Sequence, residues 1–258
     1  MIASKTKTFR VRIQRQDSPT SRSYMQEFEV EHEPNMNITA TLQKIAANPV
    51  TTDGKKTTAP VWEAQCLEEV CGSCSFVING RARQGCTALI DHLLKEQSYI
   101  ELRPMDKFPV LRDLIVDRSR MFAALKKVKA WIPVDTYADI GDGPPVSPQT
   151  QDIRYPISQC MTCGVCLQVC PQVNDRSDFI GPQAIAQAVL FNEHPTGKIT
   201  AGERLDALME PGGIADCGNA QNCVKACPKG VPLTWAIGKI GRDTTIHAMK
   251  KWFVSLKK

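Results

Sequence analysis

The chain has 258 residues, 11 of them cysteine, with a formal charge of +5 and 42% hydrophobic residues. That length accommodates two modest domains, each with its own core, and no apolar run approaches the roughly 20 residues that a bilayer-crossing helix needs. Lysine and arginine number 32 against 27 acidic residues, and outside the C-terminal tail no basic run is interleaved with aromatics, so no nucleic-acid partner is expected.

Taken in order, Met1-Ile2-Ala3-Ser4-Lys5 has no apolar signal core and no cleavage site, so export is not expected. Cysteines kept in a reducing compartment point to metal ligation in preference to disulfides. Thr8 to Gln14 alternates apolar and polar residues through Phe9, Val11 and Ile13, and Tyr24 to Val30 follows as a second strand. Ser18-Pro19-Thr20 turns between them, so the opening reads as a hairpin. From Thr39 the period becomes helical, with Leu42, Ile45 and Ala46 on one face, and it stops before Asn48-Pro49. Two strands followed by a helix open a ubiquitin-like β-grasp domain.

Cys66-x4-Cys71-x2-Cys74 has the plant-type [2Fe–2S] loop spacing, with Cys86 as fourth ligand. Asn79-Gly80 is the preferred pair for a two-residue type I′ hairpin turn. Counting outward from it pairs residue 78 with 81 and 74 with 85, which brings Cys86 beside the partner of Cys74. Plant-type clusters have potentials of roughly −400 mV, and hydrogen bonds to the sulfurs raise them. Ser73, Ser75 and Thr87 adjoin ligands and are candidate donors.

Tyr99 to Leu102 reads as a last strand, and the first domain is expected to span residues 1–117. The second, 118–258, opens with an amphipathic helix from Ser119 to Trp131 through Phe122, Leu125 and Val128. Gly141 to Pro148 is an irregular loop by composition. Pro182 to His194 reads as a helix stopped by Pro195, and Thr200-x-x-Glu203 as a capping box opening a short helix that ends at Pro211-Gly212-Gly213. Leu233 to Ile240 is one more helix, so the second domain is all-α and the whole chain α+β. The tail from His247 to Lys258 mixes aromatics with lysines, which suits either a solvated helix end or a membrane surface or membrane-embedded partner.

Cys160-x2-Cys163-x2-Cys166-x3-Cys170-Pro171 is the run of two-cluster ferredoxins, whose fourth cysteine ligates the other cluster. Its counterpart is Cys217-x5-Cys223-x3-Cys227-Pro228, where Ala220 holds the position of a second cysteine. Crossed ligation then assigns Cys160, Cys163, Cys166 and Cys227 to a [4Fe–4S] cluster and leaves Cys170, Cys217 and Cys223 for the other. With three thiolates that site reads as [3Fe–4S], although the same spacing admits a four-iron cluster whose last corner takes water or another side chain. Tetrahedral zinc favours paired CxxC motifs, which these runs are not.

These motifs, with Cys71-Gly72-Ser73-Cys74, Phe108-Pro109-Val110, Asp113-Leu114, Phe179-Ile180-Gly181-Pro182, Arg204-Leu205 and Cys227-Pro228-Lys229-Gly230, resemble the iron–sulfur subunits of the succinate dehydrogenase/fumarate reductase family. The resemblance covers essentially the whole chain. It implies an electron relay in a succinate:quinone oxidoreductase, from a separate FAD flavoprotein subunit through [2Fe–2S], [4Fe–4S] and [3Fe–4S] to a membrane quinone. It also implies a membrane-anchor subunit of cytochrome b type and a peripheral position on the cytoplasmic face of the cell membrane. A fumarate reductase running in the opposite direction and a free-standing ferredoxin-type carrier are the alternative readings. Many members have glycine where this chain has Glu69, which predicts a different loop conformation. Asp175 and Gly218 stand where ubiquinone-using members have Trp and His, so the resemblance is to the menaquinone-using branch of Gram-positive type. Pro171, Asp175, Gly218 and Ala220 are the positions implied for the quinone site. His32, His92, His194 and His247 fall outside any ligand spacing and read as surface or cap residues. No residue reads as a catalytic acid, base or nucleophile, so succinate chemistry is expected on the partner.

Overall fold

The computed structural model describes residues 7–132 and 145–256, which form two compact units that divide between Arg118 and Ser119. In the first unit β1 (Thr8–Arg15) and β2 (Tyr24–Glu31) pair antiparallel from Thr8↔Glu31 to Arg15↔Tyr24. Then comes α1 (Ile38–Ala47), capped by the Asn37 side chain, which accepts from the Ala40 N–H. It buries Ile38, Leu42 and Ile45, while Ala46 is half-buried. β3 (Ser75–Ile78) and β4 (Arg81–Gln84) follow, then α2 (Ile90–Glu96) and β5 (Tyr99–Arg103).

The sheet order is β2-β1-β5-β3-β4, with β5 parallel to β1. That parallel pair occupies the middle of the sheet, so its inward residues Val11, Ile13, Ile100 and Leu102 are fully buried and form the core with Phe28, Phe76 and Leu42. The mixed sheet crossed by α1 is the expected β-grasp. Two elements were not legible: the seven-residue α2, and a hairpin of β6 (Val110–Arg112) and β7 (Ile115–Val116) beyond the expected last strand.

One buried ion pair ties this unit together. Arg15 and Asp113 are both fully buried, and Arg15 Nε donates to Asp113 Oδ1 at 2.9 Å. The remaining guanidinium hydrogens go to Gln26, to the Thr58 hydroxyl and to the Thr58 and Ala59 carbonyls. Asp113 accepts from the backbone N–H groups of Gln16 and Val61. The pair thus joins the end of β1, the segment that leads to Cys66, and the turn of the β6–β7 hairpin.

The described residues of the second unit form helices joined by loops, with no strand. The expected helix from Ser119 stops early: α3 (Ser119–Lys127) buries Met121 and Ala124, with Val128 beyond it, and exposes Phe122. The buried stripe is therefore turned by about one residue from the expected one. Gly141 to Pro144 of the expected irregular loop lies outside the described residues, and Pro148 instead opens α4 (Pro148–Ser158), whose N-cap Ser147 accepts from the Thr150 N–H. The others are α5 (Val165–Gln168), α6 (Pro182–Asn192), α7 (Ala201–Met209), α8 (Asn222–Ala226) and α9 (Leu233–Ser255).

The Thr200–Glu203 capping box does not form. The Thr200 hydroxyl donates to the Gly197 carbonyl within a preceding 3₁₀ turn, and Glu203 pairs with Lys129. The helix expected over Leu233–Ile240 continues as α9 to Ser255, because the face bearing Ile240 and Thr244 stays buried while His247 and Lys251 reach Asp206 of α7. α6 is the central element, buried at Ala184, Ile185, Ala186, Ala188 and Val189, as expected of a helix apolar around most of its surface. Arg204 is also fully buried, its guanidinium donating to the carbonyls of Lys129, Trp131 and Gly197 and to Asn192.

Removing one partner of a buried ion pair strands the other charge, so Asp113→Ala should destabilise the first unit by about 3–5 kcal/mol. The double replacement Arg15→Met with Asp113→Leu should cost markedly less. Denaturant unfolding of both variants followed by circular dichroism checks this; equal losses would show that the charges act only by filling space.

Candidate cluster-binding sites

The first site is a loop folded around its own sulfurs. The N–H groups of Glu68, Val70 and Cys71 point at Cys66 Sγ at 3.5, 3.3 and 3.3 Å, and the Ser73 N–H points at Cys71 Sγ at 3.5 Å. Leu67, Glu69 and Gly72 adopt left-handed φ values of 61°, 59° and 71° to aim them. Glu69 thus adopts a left-handed backbone that glycine would take without strain. Its N–H bonds the Cys86 sulfur, and its carboxylate accepts from the Thr87 hydroxyl at 2.9 Å.

The hairpin delivers Cys86 as counted. Ile78 pairs with Arg81 and Ser75 with Gln84, the Gly85 N–H donates to the Cys74 carbonyl at 2.8 Å, and the turn residues Asn79 and Gly80 have φ of 48° and 78°. Burial raises the Cys86 thiol to about 11, with the neighbouring Cys74 and Cys66 adding to the rise, which places these sulfurs together. Burial also acts to raise Cys71, yet hydrogen bonds from Ser73 and from the Cys66 side pull it down to about 6.

Of the three candidate donors to sulfur, only Ser73 serves. Ser75 donates instead to the Gly72 carbonyl at 2.7 Å, and Thr87 is engaged with Glu69. Sequence reasoning missed two supports of this loop. Arg118 clamps the Gly72 and Ser73 carbonyls at 3.0 Å each, and Asn37 Nδ2 donates to the Cys86 carbonyl at 2.8 Å. Both lie too far away in sequence for spacing to reveal them.

In the second unit the two runs interleave around two separate cavities. Cys160, Cys163, Cys166 and Cys227 line one, with Gln183 and Leu233. Burial pushes the Cys166 thiol well above its ordinary value, and Cys163, Cys160, Cys227 and Cys223 add to the push. Cys170, Cys217 and Cys223 line the other, together with Pro171, Gln172, Gly218 and Ala220. Burial raises Cys223 likewise, its thiol neighbours being Cys170 and Cys217. The grouping is the crossed one, and Ala220 faces the cavity that has three thiols.

Among the described residues no three Cys, His, Asp or Glu side chains converge as tightly as a single metal ion requires; the cysteines of the second unit instead ring open space. The donor set, all thiols with surrounding N–H groups, suits iron–sulfur clusters.

The positions implied for quinone do not all fall together. Pro171, Gly218 and Ala220 line the three-thiol cavity, whereas Asp175 is exposed in a separate surface depression beside Arg120 and Lys127. A Cβ on Gly218 would collide with the Gln172 amide, so Gln172 occupies the side-chain space there. The histidines are structural: His32 pairs with Asp91 at 2.6 Å, His247 with Asp206 at 2.8 Å, and His194 Nδ1 receives the N–H groups of Thr196 and Gly197. His92 is exposed.

Comparison with known proteins agrees. Residues 9–123 match the 2Fe-2S iron–sulfur cluster binding domain and residues 156–231 the 4Fe-4S dicluster domain. The chain is 54% identical over 252 residues to a succinate dehydrogenase iron–sulfur subunit of Bacillus subtilis, covering 98% of each. It is 35% identical over 188 residues to a fumarate reductase iron–sulfur subunit of Mycobacterium tuberculosis, covering 72% of this chain and 74% of that one. In fold it matches a chain of the Mycobacterium smegmatis Sdh1 complex in the apo form with a TM-score of 0.76, at 20% identity and over 93% of this chain and 96% of that one. Likeness of that degree across nearly the full length places this chain in the family of succinate dehydrogenase iron–sulfur subunits.

Proposed function

We propose that this chain carries electrons from an FAD-bearing flavoprotein to a membrane quinone during succinate oxidation, with Cys66, Cys71, Cys74 and Cys86 holding [2Fe–2S]. In the same reading Cys160, Cys163, Cys166 and Cys227 hold [4Fe–4S], and Cys170, Cys217 and Cys223 hold [3Fe–4S]. When bound, these clusters supply one-electron stations between a two-electron donor and the quinone. The observation that carries the reading is the division of the second unit's seven thiols between two cavities, four around one and three with Ala220 around the other.

The protein's own residues hold and insulate those stations. N–H groups from the Cys66–Ser73 loop stabilise negative charge on sulfur, and burial of Cys166 and Cys223 excludes water. Pro171, Gly218 and Ala220 border the three-thiol cavity and are the best-placed quinone contacts, with Gln172 beside them; Asp175 is set apart from that cavity.

Membrane attachment is read through a cytochrome b-type anchor at the cytoplasmic face. No helix among the described residues is long and apolar enough to cross a membrane. The last turns of α9 expose Ile246, Met249, Trp252, Phe253 and Leu256 beside Lys250, a surface suited to such a partner. Menaquinone is the proposed acceptor, since neither the Asp175 nor the Gly218 position offers an indole or imidazole donor.

Three outcomes test the reading. EPR of the purified complex should show a [3Fe–4S] signal when oxidised and two further clusters when reduced, whereas two four-iron clusters would contradict it. Ala220→Cys should restore a fourth thiol, convert that site to [4Fe–4S] and slow quinone reduction; a fully loaded variant with its [3Fe–4S] signal intact would refute the role of Ala220. Quinone extracted with the complex should be menaquinone, and ubiquinone alone would overturn that assignment.

A further inference from the structure

Besides Lys229, the cavity ringed by Cys160, Cys163, Cys166 and Cys227 is lined by one polar side chain that the ligand assignment leaves unexplained, Gln183. Gln183 is only 1% exposed, lines the cavity, and has an Oε1 with no hydrogen-bond partner. It lies in the first turn of the 11-residue helix α6. Gly181 precedes that turn: its φ is 89°, and a Cβ there would press on Leu167 at 3.0 Å.

The other end of the amide is tethered. Gln183 Nε2 lies 3.3 Å from Thr162 Oγ1, and Thr162, in the left-handed region at φ 53°, hydrogen-bonds the Cys160 thiol through its backbone and side chain. A buried acceptor left without a donor is unfavourable, and thiolate and sulfide sulfurs can offer it no proton. Rotating the amide by 180° exchanges its oxygen and its nitrogen with almost no change in shape. Oε1 then accepts the single proton of the Thr162 hydroxyl, which turns away from the Cys160 sulfur and leaves the Thr162 backbone N–H there, and Nε2 points a donor into the cavity. Every polar atom of the side chain is satisfied in that orientation once sulfur occupies the site.

We propose that the Gln183 amide, held by Thr162, is a hydrogen-bond donor that sets the reduction potential of the cluster held by Cys160, Cys163, Cys166 and Cys227. This rests on the reading that those four thiols carry a [4Fe–4S] cluster. An added electron increases negative charge on the sulfurs, so a donor aimed at them favours the reduced form and raises the potential. Gln183 is a positioning residue in this role, since it ligates nothing itself.

The test is a potential-resolved EPR titration of the purified complex carrying Gln183→Leu, which keeps most of the volume and removes the amide. At a fixed potential the reduced-to-oxidised ratio of the [4Fe–4S] signal should fall about tenfold, or about 59 mV for a one-electron couple, while the other two clusters stay unchanged. Thr162→Val should shift it in the same sense by less, and Thr162→Ser, which keeps the hydroxyl, should leave it in place. An unshifted potential in a loaded Gln183→Leu complex overturns the proposal, as does a shift in all three clusters, which would mark a general distortion. If Gln183→Leu does not load, the unaltered complex decides. With ¹⁵N in its glutamine amides, pulsed EPR of the reduced [4Fe–4S] signal should show a weak ¹⁵N coupling, and its absence overturns the proposal. Absence of any [4Fe–4S] signal from the unaltered complex would instead defeat the ligand assignment.

Discussion

Thiolates gathered close together, several of them buried, repel one another, and the loops around them answer that cost. Backbone N–H groups are the cheapest source of positive potential, but a loop must turn sharply to aim several at one sulfur. In each cysteine-bearing loop the turning residues are left-handed: Leu67, Glu69 and Gly72 in the first, Thr162 and Gly164 in the second, Asn219 and Gln221 in the third. For residues other than glycine this conformation costs roughly 1–2 kcal/mol each. Such loops persist only where surrounding structure over-determines them.

That surrounding structure is built on arginines that satisfy backbone carbonyls, Arg15 and Arg204 fully buried and Arg118 half-buried. Arg118 holds the Gly72 and Ser73 carbonyls, and Arg15 with Asp113 secures the chain that enters the Cys66 loop. In the other unit Arg204 collects carbonyls from the chain after α3 and from the turn before α7. A guanidinium suits this work because its donors lie in a fixed plane and it stays charged when buried. α6 contributes differently, as an apolar helix whose first turn carries Gln183 to one cavity and Pro182 to the other.

The two cavities of the helical unit have distinct chemical characters. One has four thiols around it and an otherwise largely apolar lining. The other has three thiols, and Gln172, Asn219, Gln221 and Asn222 stand around it beside Ala220. Amide side chains thus distinguish the three-thiol cavity from the other, whose one amide is Gln183.

Much of this was legible in the chain alone, because a cluster fixes the separation of its ligands and a short loop converts that separation into spacing. The ligand runs, the Asn79-Gly80 turn that delivers Cys86, the strand pairing and the gap at Ala220 are all local in this sense. Longer-range contacts carry no such periodic mark. The Ser75 and Thr87 hydroxyls chose backbone and carboxylate partners over sulfur, Glu69 held a left-handed turn despite its side chain, and Thr200 spent its hydroxyl on Gly197 instead of a capping box. The placement of Asp175 away from Gly218, and of Gln172 in the space beside Gly218, was likewise decided by packing. Sequence alone therefore determined which cysteine runs have the spacing for a cluster, since that depends on covalent reach along a loop. Only the tertiary structure decided which polar groups face each site, since that depends on helices and arginines brought in from distant parts of the chain.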